Sequence, residues 1–351
     1  MRIKQLTFTR FIAAICIVIF HYGSGCYLFN NEYSSFIFKQ ANIGVSYFFI
    51  LSGFVMIIAY NNRKQIFFFE YFKNRLARIY PVYLLAILLI LGIKLFRDVN
   101  YIDLILNVLM LQSWIPDKGL TINYPGWSLS VELFFYITFP FLFNYIYKKI
   151  SLKNIGICIV LFWLFSQIIF NISVGTDLMK PFMYSIKDLH YNPLLHFNEF
   201  LIGNLTGLYF VNKLNMKKKN YLGYILFTFL VLFLVLRFSF GINYHNGLLS
   251  VVFVPLILLI SLSTDRLTNL FTKDIFIFLG EISFGIYILQ MPVWIIFSDY
   301  RMNKYFGLDK ESDFSISFFI RVGILFLIAT ISYLYFEKPI RDKINNSQLV
   351  K

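Results

Sequence analysis

Apolar runs separated by short polar clusters recur along the whole chain, and their lengths carry the first conclusion. They fall near residues 6–26, 41–60, 79–96, 131–147, 155–173, 194–211, 221–240, 248–263, 275–298 and 316–336. A helix of about 20 apolar residues crosses the hydrocarbon core of a bilayer. The runs do not alternate apolar and polar positions, which excludes the strands of a membrane barrel. Helices then satisfy the backbone inside lipid. The pattern predicts an all-α integral membrane protein, a polytopic bundle of about ten transmembrane helices. A further apolar run, Leu104–Trp114, is too short to span and is predicted to lie at the interface or to re-enter. No repeat and no Pro/Gly/Ser linker divides residues 1–351, which read as a single membrane domain. About 15 polar residues follow the tenth run. No extracytoplasmic catalytic domain is therefore expected, and any chemistry falls to the bundle itself.

Composition agrees, with 58% hydrophobic and 14% charged residues. The net charge of +14 suggests nucleic acid until its distribution is read. Of the 32 Lys and Arg, 20 fall in segments on the side of the N-terminus and 8 on the other side, with Arg10, Lys94, Arg237 and Arg321 inside the runs. This asymmetry is the positive-inside rule and predicts both termini in the cytoplasm. Lys217–Lys219 then serve orientation, and no nucleic-acid partner is expected. Cys16, Cys26 and Cys158 have neither disulfide nor metal-ligand spacing, so no metal is expected. The N-terminus resembles a signal peptide, but Arg10 interrupts its apolar stretch and further spans follow, so it is expected to be retained.

Arg10 and His21 share the first span. Charge is expensive in lipid, so an ionisable pair there points to function. Eleven residues are three helical turns plus about 20°, placing both on one face about 16 Å apart. A snorkelling Arg and a packed His are the structural alternative. Arg75 and Arg78, at the mouth of the third span, share a helical face, and guanidinium suits phosphate. Positive-inside anchoring accounts for the same pair. Tyr124-Pro-Gly-Trp-Ser-Leu-Ser-Val-Glu132 runs into the fourth span. Glu132 matches His21 in depth, and a carboxylate beside an imidazole raises its basicity and fixes its tautomer. A helix-start role is the alternative for Glu132, and an interfacial belt position that for Trp127. Glu199 and Glu281 either line a cavity or supply packing polarity. Glu337 reads as a cap or salt-bridge partner. His190, His196 and His245 fall in loops or at span ends, where solvation is expected.

In this order the pieces resemble the membrane-bound acyltransferase 3 family over nearly the whole chain. They are Arg10-(x)10-His21, Phe48-Phe-Ile-Leu-Ser-Gly-Phe54, Arg75 through Pro81, Trp127 through Glu132, Glu199-Phe-Leu-Ile-Gly203, Gly280 through Ile288, and Phe336-Glu-Lys-Pro339. The resemblance implies acyl transfer to sugars or other hydroxyl-bearing acceptors, with acyl-CoA as the cytoplasmic donor and the acceptor reached from the outer side or the membrane. Arg10 and His21 match the family's essential pair, and Arg75 with Arg78 its basic motif. Members usually carry a histidine before the proline of the ninth span, where this chain has Gln290-Met-Pro292. Gln290 forms hydrogen bonds but moves no proton at neutral pH, which leaves His21 as the strong base candidate.

The expected mechanism docks the acyl-CoA phosphates on Arg75 and Arg78, with Arg10, and brings the thioester to His21. His21, oriented by Glu132, takes the acceptor proton as general base or relays the acyl group covalently. Trp127, Ser130, Glu199 and Gln290 are the expected substrate contacts. Acetyl-CoA is the expected donor and is not held permanently. The acceptor is expected to be a cell-envelope polysaccharide, such as an O-antigen, or a lipid-linked sugar, at the bacterial inner membrane. The rival reading is a proton-coupled transporter or flippase of an envelope precursor, with Arg10, His21 and Glu132 along its path.

Overall fold

The structure, a computed structural model, describes residues 3–93, 99–176, 185–214, 217–238 and 242–346. Its main helices are α1 (Gln5–Tyr22), α2 (Gly44–Tyr60), α3 (Phe68–Ile93), α4 (Trp127–Phe141), α5 (Leu152–Gly175), α6 (Pro193–Tyr209), α7 (Leu222–Arg237), α8 (Ser250–Leu262), α9 (Asp274–Ile296) and α10 (Phe314–Ser332). Among the described residues there is no strand, only one isolated bridge between Lys219 and Ser263. Lys94, expected inside the third span, lies outside the described residues.

Among the described residues, seven helical stretches are long and apolar enough to cross a membrane: Gln5–Tyr22, Ala41–Tyr60, Phe68–Ile93, Tyr124–Tyr147, Leu152–Gly175, Asp274–Ile296 and Phe314–Ile344. The other three expected spans correspond to α6, of 17 residues and continued by a π-helix over Phe210–Leu214, and to α7 and α8, of 16 and 13 residues. At 1.5 Å per residue α7 and α8 are about 20–24 Å long, short of a core about 30 Å thick. The run from Leu104 forms a helix over Tyr101–Val108, 8 residues long and far too short to span.

The chain divides into two compact units, each assembled from separate stretches. One comprises Met1–Ala13, Asn42–Phe68 and Val131–Gly280. One close seam joins α2 to α6. A Cβ on Gly203 would sit 2.1 Å from the carbonyl oxygen of Ile50, and one on Gly53 would sit 2.2 Å from that of Phe200. The two backbones meet only because both positions lack side chains, the small-residue packing typical of helices in lipid. Stacked Phe135 of α4 and Phe200, 4.6 Å apart, bring α4 against α6. Asn192 caps α6 by accepting from the Leu194 N–H at 3.0 Å, and Pro193 follows at the helix start.

The other unit comprises Ala14–Ala41, Phe69–Ser130 and Glu281–Lys351. Here the connection after α3 folds onto that helix. Buried Tyr83 donates to the Asn107 carbonyl at 2.8 Å, Asn107 Nδ2 donates to Thr121 at 2.8 Å, and Gln112 Nε2 donates to the Gly126 carbonyl at 2.8 Å. Buried Arg321 is paired with Asp299 at 2.7 Å, as a cation deep in an apolar helix requires.

Candidate active site

Proline in the second half of α9 sets up the local geometry around His21. Pro292 has no N–H to offer the Ile288 carbonyl four residues earlier. Asn123, from the connection before α4, fills that vacancy through its Nδ2 at 3.2 Å. The hydroxyl of Tyr287 donates within 3.0 Å to the Pro125 carbonyl and lies 2.9 Å from Ser128. The Tyr124–Ser128 turn is thereby held against α9, with the Tyr124 N–H on the sulfur of Met291 at 3.4 Å.

His21 lies in the last turn of α1 and faces this assembly. Its Nδ1 is 2.8 Å from Oε1 of Gln290, a residue with no solvent exposure. The Gln290 amide nitrogen donates to the Tyr287 carbonyl at 2.6 Å. Tyr124 meets the imidazole edge-on at 4.7 Å. The next residue, Tyr22, stacks on Trp294 at 4.1 Å. Among the described residues, Nε2 of His21 has no hydrogen bond. The arrangement is an imidazole anchored through one nitrogen while the other keeps its lone pair available.

Glu132, expected to orient His21, falls in the other unit. Its Oε1 accepts from Tyr136 at 2.5 Å and from Ser52 at 3.4 Å. A tyrosine one helical turn away is the nearest donor to a carboxylate on the same face, and the His21 ring is met by Gln290 instead. Gln290, expected among substrate contacts, is buried with both ends of its amide engaged by the protein. Trp127 is buried rather than set in an interfacial belt, and its carbonyl accepts from Ser113 at 3.0 Å. Ser130, fully buried, accepts from the Ser113 N–H at 3.4 Å. Both seat the start of α4 against the preceding turn.

Arg75 and Arg78 lie near the start of α3, in the same unit as His21. Arg75 rests over the Tyr71 ring at 5.5 Å, and Arg78 is exposed. Arg10 precedes His21 by three turns of α1 and is half-buried in the other unit, where its neighbour Thr9 bonds to Tyr47 at 2.5 Å. Glu199 is fully buried there, with Oε2 on Nδ1 of His196 at 2.7 Å and no hydrogen bond to Oε1 among the described residues. His196 also meets the His190 carbonyl at 2.8 Å, and His190 lies edge-on to His245 at 5.1 Å. These histidines are therefore not the solvated loop residues expected. His196 is buried, and His245 bonds to Asn42. Glu281 and Glu337 work inside the unit that holds His21. Tyr333 donates to Glu281 at 2.9 Å, and Ser332 to Glu337 at 3.1 Å.

The family model of the acyltransferase domain matches residues 3–337. The chain belongs to the acyltransferase 3 family. An acyltransferase, MdmB, of Streptomyces mycarofaciens is 29% identical over 170 residues, covering 45% of this chain and 43% of that protein. The O-acetyltransferase OatA of Staphylococcus aureus is 24% identical over 366 aligned positions, covering 95% of this chain and 56% of OatA. A protein of Haemophilus influenzae is 26% identical over 194 residues, 49% of this chain and 78% of that one. This chain thus spans about half the length of the two named acyltransferases it matches. No solved structure matches it. Membership places residues 3–337 in an acyltransferase domain, and seven of the described helical stretches have the length and apolarity to cross a membrane.

Sequence reasoning quoted Tyr124 and Tyr287 within motifs but placed none of Tyr22, Tyr124, Tyr287 and Trp294 around His21. In a chain with 20% aromatic residues no single ring stands out. The signal for Gln290 was present, since it occupies the position where family members usually carry histidine.

Proposed function

We propose that this protein is an O-acyltransferase, most simply an O-acetyltransferase, moving the acyl group of cytoplasmic acyl-CoA to a hydroxyl of an envelope polysaccharide or lipid-linked sugar. Its setting is the bacterial inner membrane. The observation that carries this reading is the imidazole of His21, anchored at Nδ1 and open at Nε2, in a chain of this family. Nε2 accepts the acceptor's hydroxyl proton as its oxygen attacks the thioester carbonyl. The C–S bond breaks, an ester C–O bond forms, and the proton passes from His21 to the departing thiolate. A relay through acyl-His21 uses the same nitrogen. Arg75 and Arg78 hold the phosphates of the donor as charge-assisted partners. Trp127 and Ser130, in the same unit as His21, shape the surroundings of the acceptor path.

The test uses inverted membrane vesicles containing wild-type protein or His21→Ala at matched levels. Acetyl-labelled CoA is supplied and label leaving the thioester is counted in glycan, protein and free acetate. General-base help supplies about 10²- to 10⁴-fold in rate, so His21→Ala is expected to fall near background. No His21-dependent release, with acceptor-bearing membranes and longer acyl-CoAs also tried, would refute acyl transfer and leave transport as the working idea.

A further inference from the structure

We infer that Gln290 is a positioning residue that locks His21 in the Nδ1–H tautomer and so assigns the chemistry to Nε2. The inference rests on the reading of His21 as base or relay and specifies which nitrogen acts. It follows from the direction of two consecutive hydrogen bonds. A backbone carbonyl only accepts, so the Gln290 atom 2.6 Å from the Tyr287 oxygen must be the amide NH₂. Rotating the amide by a half-turn would set two oxygens against each other at that distance. The other end of the side chain, Oε1, therefore faces His21 Nδ1 at 2.8 Å. An amide oxygen also only accepts, so Nδ1 carries the hydrogen and Nε2 carries the lone pair.

The surroundings keep this chain of bonds in one register. Gln290 and Tyr287 share one helix three residues apart, so the first bond is local to α9 and present whatever His21 does. Gln290 has no solvent exposure. Tyr287 is itself tied to Pro125 and Ser128 through its hydroxyl. A second histidine at this position could present either a donor or an acceptor to His21. Glutamine presents only the acceptor. It does by hydrogen bonding alone what a carboxylate does in other base sites, without adding a charge to a buried position.

The experiment compares Gln290→Leu and Gln290→Glu with wild type and with His21→Ala. Activity is read as kcat and KM for acyl-CoA across pH, and the imidazole as nitrogen and carbon chemical shifts of histidine-labelled protein in nanodiscs. With only four histidines in the chain, the His21 signal is identified by its loss in His21→Ala. Wild type is expected to show Nδ1–H at His21. Gln290→Leu is expected to lose that preference and about tenfold or more in kcat, with KM for acyl-CoA unchanged. Gln290→Glu keeps an acceptor on Nδ1 and adds negative charge, so kcat recovers and the acidic limb of the pH profile moves to higher pH. An Nε2–H tautomer in wild type would overturn the inference, and this readout needs no variant at residue 290. So would an unchanged tautomer and kcat in a folded Gln290→Leu. If instead His21→Ala retains full activity, the acyl-transfer reading of His21 fails, and the tautomer signal still reports separately on Gln290.

Discussion

Replacing Gly203 by alanine tests whether the α2–α6 seam is as close as described. The new Cβ would lie 2.1 Å from the Ile50 carbonyl oxygen and 2.9 Å from its carbon, whereas ordinary contact begins at 3.4 Å. The helices must therefore open by about 1.3 Å at a point where backbone meets backbone and no flexible side chain yields. A gap of 0.5–1 Å already forfeits a quarter to a half of each dispersion contact, and overpacking of this kind costs about 1–3 kcal/mol. Alanine returns about 0.5–1 kcal/mol through helix propensity. Packing wins, and Gly203→Ala is expected to destabilise by about 1–2 kcal/mol. Gly323, in the middle of α10, is the control, because nothing lies within 4 Å of its Cβ position. Gly323→Ala keeps only the propensity gain and is expected to be neutral or stabilising by up to about 1 kcal/mol. Thermal unfolding of both variants in one detergent reads the difference. A Gly203→Ala protein as stable as Gly323→Ala would refute the close approach.

Two further perturbations bear on charge. Burial, followed by the neighbouring His190 and His196, pushes His245 down to about 3. Its folded value lies below the unfolded value of about 6.5, so the stability tied to the neutral ring is fully present above pH 6.5 and is lost as pH falls below it. Melting temperature is expected to drop on acidification from pH 7 to pH 5, and His245→Gln to flatten that slope; parallel curves would count against it. Arg78→Ala removes one charge-assisted phosphate contact and is expected to raise KM for acyl-CoA about tenfold with little change in kcat at saturating donor. An unchanged KM would return Arg78 to orientation of the helix in the membrane.

Much was determined by the sequence alone, because the relevant physics is local. Apolar run length set the all-α membrane class, since a segment in lipid must satisfy its own backbone. Helical spacing placed Arg10 and His21 on one face of α1 without any tertiary contact. Motif order along the chain pointed to the acyltransferase family, which the match over residues 3–337 bears out. The tertiary structure decided the partners. Depth and charge favoured Glu132 as the orienting group for His21, but which atoms meet depends on the rotation of each helix and on where neighbouring donors lie. Tyr136, one turn away, reaches Glu132, and Gln290, 269 residues from His21 in sequence, reaches the imidazole. The lengths of α7 and α8 likewise fell a few residues short of the hydropathy runs, because run length counts apolar residues and helix length depends on where the backbone stops. The gathering of His190, His196 and His245 in one cluster was equally hidden. The start of α6 and the segment before α8, far apart in sequence, converge there, and no periodicity records a contact made across the fold.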